Sequence, residues 1–343
     1  MLPISENPSE LPPGRLLGTV IQKLPGAYWV RLAGGQSCLC AISNKLRKQL
    51  VYPIAASTSV RRRVMQVKEL DDVDPIAIGD QVSLADAGAD NAGQPRGLIT
   101  GILPRRNSLT RCSAVPMPGA RPFEQMVAAN VDQVLIVCPA GQAVPRRWVL
   151  DQYLAAAEAA RLPARICLTK LDLADEGLLA DELALYQAIG YEVLPTSART
   201  GAGLDSLRRA LTGRVSVLLG KSGVGKTSLL NALQPGLGLR IREVNKHTHE
   251  GRHATTSSQM FDLAAGGSVV DTPGQREFRP WGLAQAAVDQ LFPEMRPFLG
   301  QCKFGADCAH AHEPGCAVKA ALATGRIAES RYANYLRLAA DQN

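Results

Sequence analysis

Residues 215–233 admit one local fold. Val215-Ser216-Val217-Leu218-Leu219 is an apolar, β-prone run, and Ser228-Leu229-Leu230-Asn231-Ala232-Leu233 opens a helical pattern. Between them stands Gly220-Lys221-Ser222-Gly223-Val224-Gly225-Lys226-Thr227. A G-x-x-x-x-G-K-[ST] loop between a strand and a helix turns successive backbone N–H groups and the helix N-terminus toward one point and adds a lysine, which suits phosphate oxygens. Lys226 is expected to contact β- and γ-phosphates, and the Thr227 hydroxyl to ligate magnesium. Ser228 continues the loop into the helix.

The surrounding sequence alternates strand and helix. Gln133–Val137, Ala164–Leu168 and Glu192–Leu194 read as strands, while Arg147–Arg161, Leu178–Ile189 and Leu204–Leu211 read as helices. That rhythm predicts a doubly wound, parallel α/β sheet.

Two motifs precede the loop. Thr169-Lys170-Leu171-Asp172 follows one of these strands, and Ser197-Ala198-Arg199-Thr200-Gly201 follows another. An aspartate carboxylate accepts two hydrogen bonds, which matches the paired N–H donors of guanine and not the edge of adenine, so Asp172 selects GTP over ATP. Lys170 is expected to pack along the base, and the Ala198 N–H, held by Ser197, to meet the guanine carbonyl. Thr169 stands where asparagine is commoner. Asp271-Thr272-Pro273-Gly274 comes after the loop; Asp271 can reach magnesium through water and Gly274 can offer its N–H to the γ-phosphate. Base-reading motifs upstream of the phosphate loop reverse the ordinary GTPase order, so the parts are complete but circularly permuted. The long polar stretch Val244–Gln259 is the expected switch loop, with Thr256 favoured over Thr255 as a magnesium ligand.

Upstream lies a different pattern. Thr19–Ile21, Tyr28–Leu32, Ser37–Ile42, Val82–Leu84 and Leu98–Leu103 are short β-prone runs punctuated by Gly, Asp and Pro. They predict a small OB-type β-barrel over residues 15–103. Residues 1–14, rich in Pro and Ser, are expected to be a disordered tail, and 51–75 an irregular insertion. Residues 104–112 read as a basic linker, 113–278 as the GTPase unit and 279–343 as a C-terminal unit.

The formal net charge of +7 favours an anionic partner. Arg61 to Arg63, Arg105, Arg106 and Arg111, with Tyr28 and Trp29 on the barrel, are candidate RNA contacts, although each taken singly also reads as a solvated charge or core aromatic. No N-terminal pattern of a secretory leader and no apolar run near the roughly 20 residues of a membrane span is present, so a cytoplasmic protein with no membrane partner is expected.

Three of the eight cysteines crowd into Cys302, Cys308 and Cys316, with His310 between them and His312 nearby. Three thiolates and an imidazole without a carboxylate favour one tetrahedral zinc, and four protein ligands leave no open catalytic position, so the ion is structural. His312 is the alternative to His310. The other cysteines are scattered, which suits a reducing compartment.

With these motifs in this order, essentially the whole chain resembles the ribosome small-subunit-dependent GTPase A (RsgA) family. The resemblance implies an OB-fold domain, a circularly permuted GTPase domain and a mostly helical C-terminal zinc domain; a monomer is expected. It implies GTP hydrolysis stimulated by the small ribosomal subunit, with contacts to its rRNA during late maturation. The metal histidine of the family falls at His310. The switch histidine, here His253 in Gly251-Arg252-His253-Ala254-Thr255-Thr256, is its candidate for orienting the attacking water. The chain departs from the family at Gln275, where an apolar residue is usual; glutamine there orients water in other GTPases. Two other readings are an RNA-binding clamp with little turnover and a metal-handling GTPase, the second disfavoured by the closed ligand set.

Overall fold

The computed structural model describes residues 15–51, 76–90, 93–112, 124–140, 145–237, 258–272 and 288–340. The expected tail, nearly all of the 51–75 insertion with Arg61 to Arg63, and the expected switch loop up to residue 257 lie outside the described residues.

The first unit contains β1 (Leu16–Leu24), β2 (Ala27–Leu32), β3 (Ser37–Ile42), α1 (Asn44–Val51), β4 (Gln81–Ala89) and β5 (Pro95–Ile102). β1 pairs with β2, β2 with β3, β3 in parallel with β5, β5 with β4, and β4 back with β1. The ring closes, so the expected OB-type barrel has no open edge within it. Alternation drives the closure: Tyr28 and Val30 on β2, and Cys38 and Cys40 on β3, point inward to Val20, Leu46, Val82, Leu84 and Ile99. Tyr28 is therefore core, not an RNA contact.

The segment expected as a linker is corrected in part. Ser108–Cys112 is a strand, β6, paired antiparallel with β7 (Glu124–Ala129). Its short polar sequence conceals this, because the pairing and burial of Leu109 come from distant chain. Arg105 is no free basic side chain either: Nε and Nη2 donate to Asp80 Oδ1 and Oδ2 at 2.6 and 2.7 Å, with Asp80 fully buried. Arg106 is exposed and pairs with Asp132 at 3.0 Å. Asn130 donates to Gly79 O at 2.9 Å and the Ala129 N–H to Ile78 O at 2.8 Å, stitching hairpin to barrel.

The second unit comprises β8 (Gln133–Pro139), α2 (Pro145–Ala159), β9 (Ala164–Thr169), α3 (Glu176–Ile189), β10 (Glu192–Pro195), α4 (Leu204–Leu211), β11 (Val215–Leu219), α5 (Lys226–Leu233), β12 (Gln259–Asp262) and β13 (Ser268–Asp271). Strand order is β10-β9-β8-β11-β13-β12, parallel except for β12 against β13. Successive residues of the apolar strands serve opposite faces: Val134 and Ile136 join Tyr153 and Leu154, whereas Leu135 and Val137 join Leu207 and Leu229. A sheet covered on both faces needs such continuous apolar runs. β12 also pairs with β1 at Gln22 and Gln259, so the barrel covers the edge of this sheet.

Residues 288–340 hold single helical turns at 289–291, 296–298 and 305–307, then α6 (Ala317–Ala323) and α7 (Glu329–Ala340). Phe292, Met295, Val318, Tyr335 and Leu338 form a small core that reaches Ala155 of α2.

Candidate functional site

The chain crosses from the outer strand β10 back to β11, beside β8. The phosphate loop thus leaves β11 at the point where strand order reverses, the ordinary ligand position of such sheets. Gly225 caps α5 at φ +103°, a conformation that favours glycine. Gly220 runs so close to β8 that a Cβ there would lie 2.5 Å from Val137 O. The buried Lys226 ammonium donates to Gly220 O at 2.6 Å and Lys221 O at 3.1 Å. Burial lowers its pKa to about 8, opposed by the nearby Asp271 charge. Thr227 and Ser228 follow on the first turn of α5, half-buried.

The upstream motif is bonded directly to this loop. Thr169 Oγ1 donates to Val224 O at 2.6 Å and lies 3.2 Å from Cys138 O. Lys170 takes φ +58° and its Nζ donates to Gly223 O at 3.0 Å. The Leu171 N–H donates to Thr196 O at 3.0 Å. Ser197 Oγ donates to Asp172 Oδ1 at 2.5 Å and accepts from the Thr200 N–H at 3.2 Å. The Ser197 hydroxyl is the main cause holding the Asp172 carboxyl below its ordinary pKa, with Arg199 Nη1 at 3.7 Å from Oδ2 adding to it. Ala198 sits half-buried between these groups. Sequence reasoning missed Arg199, whose only signal was a cation at the variable position of its motif.

Asp271, 2% exposed, ends β13 opposite Leu218 of β11. Thr272 Oγ1 donates to Leu218 O at 2.7 Å. The structure therefore brings together Thr169–Asp172, Ser197, Ala198, Gly220–Ser228 and Asp271 at the C-terminal ends of β9, β10, β11 and β13. His253, Thr255, Thr256, Gly274 and Gln275 lie outside the described residues. Such an arrangement can cradle a polyphosphate, read a base edge with an ionised carboxylate and hold a cation beside Thr227 and Asp271.

In the C-terminal unit, one ligand atom from each of Cys302, Cys308, His310 and Cys316 lies within 4.8 Å of the others, all four residues buried. His310 Nδ1 is 3.5 Å from Cys302 Sγ and 3.4 Å from Cys316 Sγ. His312 is exposed and outside this group. Cys302 Sγ accepts from the Ala317 N–H at 3.3 Å, and Cys316 Sγ caps α6 by accepting from the Lys319 N–H at 3.5 Å. Sulfurs collecting N–H donors around one imidazole fit a thiolate-rich site for an ion such as zinc.

The model of the RsgA GTPase family matches residues 102–281. A relative from Gemmatimonas aurantiaca, named small ribosomal subunit biogenesis GTPase RsgA, is 44% identical over 263 residues, covering 77% of this chain and 83% of its own. One of the same name from Porphyromonas gingivalis is 37% identical over 332 residues, 95% of this chain and 97% of its own. The crystal structure of YjeQ from Thermotoga maritima matches with a TM-score of 0.68 and 31% identity, covering 95% of this chain and 98% of that one. YloQ, described as a circularly permuted GTPase, matches with a TM-score of 0.63 and 26% identity over 95% and 94% of the two chains.

Proposed function

Because this chain belongs to the RsgA GTPase family, whose relatives are named for small ribosomal subunit biogenesis, we propose that it hydrolyses GTP in late maturation of the small ribosomal subunit. It binds the subunit and its rRNA in the GTP state, is stimulated by the subunit, and leaves after hydrolysis. The observation that carries this reading is the bonding of Thr169 to Val224 and of Lys170 to Gly223, which joins the base-reading motif to the phosphate loop despite their reversed order.

In this reading the backbone N–H groups of Gly220–Thr227 and the Lys226 ammonium hold the phosphates, and Asp172 accepts from the guanine edge. Ser197 orients Asp172, while Lys170 and Ala198 complete the base site. Thr227, Asp271 and Thr256 would hold magnesium, which when bound neutralises charge on the β- and γ-oxygens. Gly274 donates to the γ-phosphate, and His253, with Gln275 beside it in the scheme, orients the attacking water. Cys302, Cys308, His310 and Cys316 would hold one structural zinc.

The closed barrel supports an RNA-binding role for the N-terminal unit, with half-buried Trp29 and exposed Arg106 remaining as candidate contacts. Among the described residues no helix is long and apolar enough to cross a membrane; we place the protein in the cytoplasm, as a monomer. Units at 15–103, 113–278 and 279–343 remain our division, with β6 assigned to the hairpin that fastens the barrel.

The test is GTP hydrolysis by the purified protein with and without small subunits. Strong stimulation is expected, and equal rates would remove the ribosomal reading. Single-turnover hydrolysis by H253A and Q275A, with saturating subunits, tests the water-orienting pair. Unchanged rates in both would discard it.

A further inference from the structure

We infer that Asp289 is the outer carboxylate of the metal knot and fixes His310 so that Nδ1, not Nε2, is the nitrogen offered to the ion. The inference rests on the reading of the knot as a zinc site. His310 Nε2 stands 3.3 Å from Asp289 Oδ2, on the side of the ring away from the sulfurs. Nδ1 faces Cys302 and Cys316. A neutral imidazole has one N–H and one lone pair, and a carboxylate only accepts. The proton therefore belongs on Nε2, and the lone pair on Nδ1 points among the thiols.

The geometry is held from several sides. The His310 side chain is 3% exposed and that of Asp289 17%, so water competes poorly for the bond. Asp289 Oδ1 accepts from the Gln290 N–H at 2.8 Å, which fixes the carboxylate with Oδ2 toward the ring. His310 itself adopts φ +56°, an uncommon backbone state for a histidine. Tyr332 OH donates to His310 O at 2.6 Å and Tyr335 OH to Ala309 O at 2.8 Å, so α7 clamps the backbone that carries the ring. Carboxylates behind a metal-bound histidine fix its tautomer and raise its basicity, and their loss commonly costs 10–100-fold in metal affinity.

The bond also has a topological consequence. Asp289 lies in the first helical turn among the described residues of the C-terminal unit, whereas the four ligands lie between 302 and 316. An ion held by His310 would thus secure the turn Asp289–Leu291 as well as its ligand loop.

The experiment uses the full-length zinc-loaded protein. Two-bond proton–nitrogen correlation on the wild type should give His310 the signature of a protonated Nε2 and a metal-bound Nδ1; the opposite pattern overturns the assignment and needs no variant. Zinc release to an excess of chromogenic chelator should be about 10–100-fold faster in D289A. D289N should fall between D289A and wild type, since its carbonyl still accepts from Nε2–H but carries no charge. Release within twofold of wild type in both variants would overturn the role of Asp289 while leaving the knot intact. A wild-type protein that carries no equivalent of zinc would instead overturn the knot, and this inference with it.

Discussion

The Arg331 guanidinium on α7 donates through Nη1 to Asp151 Oδ1 on α2 at 2.6 Å, and both side chains are only 1% exposed. Glu294 accepts from the same guanidinium at 2.5 and 3.1 Å, and Asn334 and Tyr186 donate to Asp151 at 2.6 and 3.0 Å. The cation also stacks 4.6 Å from the Phe292 ring centroid. This network docks the C-terminal unit on the GTPase sheet. Arg331→Met leaves two buried carboxylates without their cation, and breaking such a pair costs about 3–5 kcal/mol. Urea unfolding followed by Trp148 fluorescence should report it, since Arg337 sits 4.2 Å over that ring at the same junction. A variant that kept both its urea midpoint and its resistance to limited proteolysis would show that the network does not hold the junction.

Thr169 makes a narrower prediction. Its hydroxyl ties β9 to the phosphate loop at Val224 O, and one such hydrogen bond is worth about 0.5–1.5 kcal/mol. Thr169→Ala should therefore weaken GDP binding by about two- to tenfold, read by calorimetric titration. Thr169→Asn, which retains a donor at that position, should lose less. Equal affinity in the alanine variant would mean that the loop holds its shape without this bond.

These two bonds also mark what was legible in the sequence. Leu204–Leu211 and Val215–Leu219 have the boundaries that their patterns predict, because apolar period and flanking glycines agree there. The grouping of residues at the phosphate loop, at the Asp172 motif and in the Cys/His cluster was legible for a related reason: the chemistry we propose for them needs fixed residue types at short spacing. The Asp151–Arg331 contact had no such signal, since its partners are far apart in sequence and each, alone, reads as a surface charge on a helix. β6 was hidden likewise, its strand character supplied by β7 and by Leu109 entering a distant core. Arg105 was misread for the same reason, its partner Asp80 being buried under the barrel. The pairing of β1 with β12 depends on two units meeting, which no local pattern encodes.

Asp172 carries the base selectivity in our reading, and exchange of one oxygen for an amide tests it. Asp172→Asn replaces an acceptor pair by one acceptor and one donor. Guanine then meets a donor with a donor, whereas xanthine, with an N–H beside a carbonyl, is matched. Guanine nucleotide affinity should fall by at least tenfold and xanthine nucleotide affinity should rise. Competition binding with GDP and xanthosine diphosphate measures both, and unchanged GDP affinity would discard Asp172 as the base reader.

Lys226 gives the nucleotide site a defined pH dependence. Its pKa, lowered by burial to about 8, lies below the ordinary lysine value, so above pH 8 the free protein increasingly holds a neutral amine. The sign for folding follows directly: the unfolded chain binds the extra proton between pH 8 and the ordinary lysine value of about 10.4, so this group favours the folded state increasingly as pH rises through that window. Nucleotide binding runs the other way. In the proposed site, phosphates held beside the ammonium would favour its charged form and raise its pKa, so binding above pH 8 should take up a proton and affinity should fall as pH rises. Phosphate groups, with a second pKa near about 6, are already ionised in this range and do not mask the effect. Calorimetry of GDP binding at pH 8.5, in two buffers of different ionisation enthalpy, should show net proton uptake, and affinity should drop by up to about tenfold per pH unit between 8 and 9. Proton uptake of zero, with affinity flat across that interval, would show that Lys226 stays charged in the free protein despite its burial.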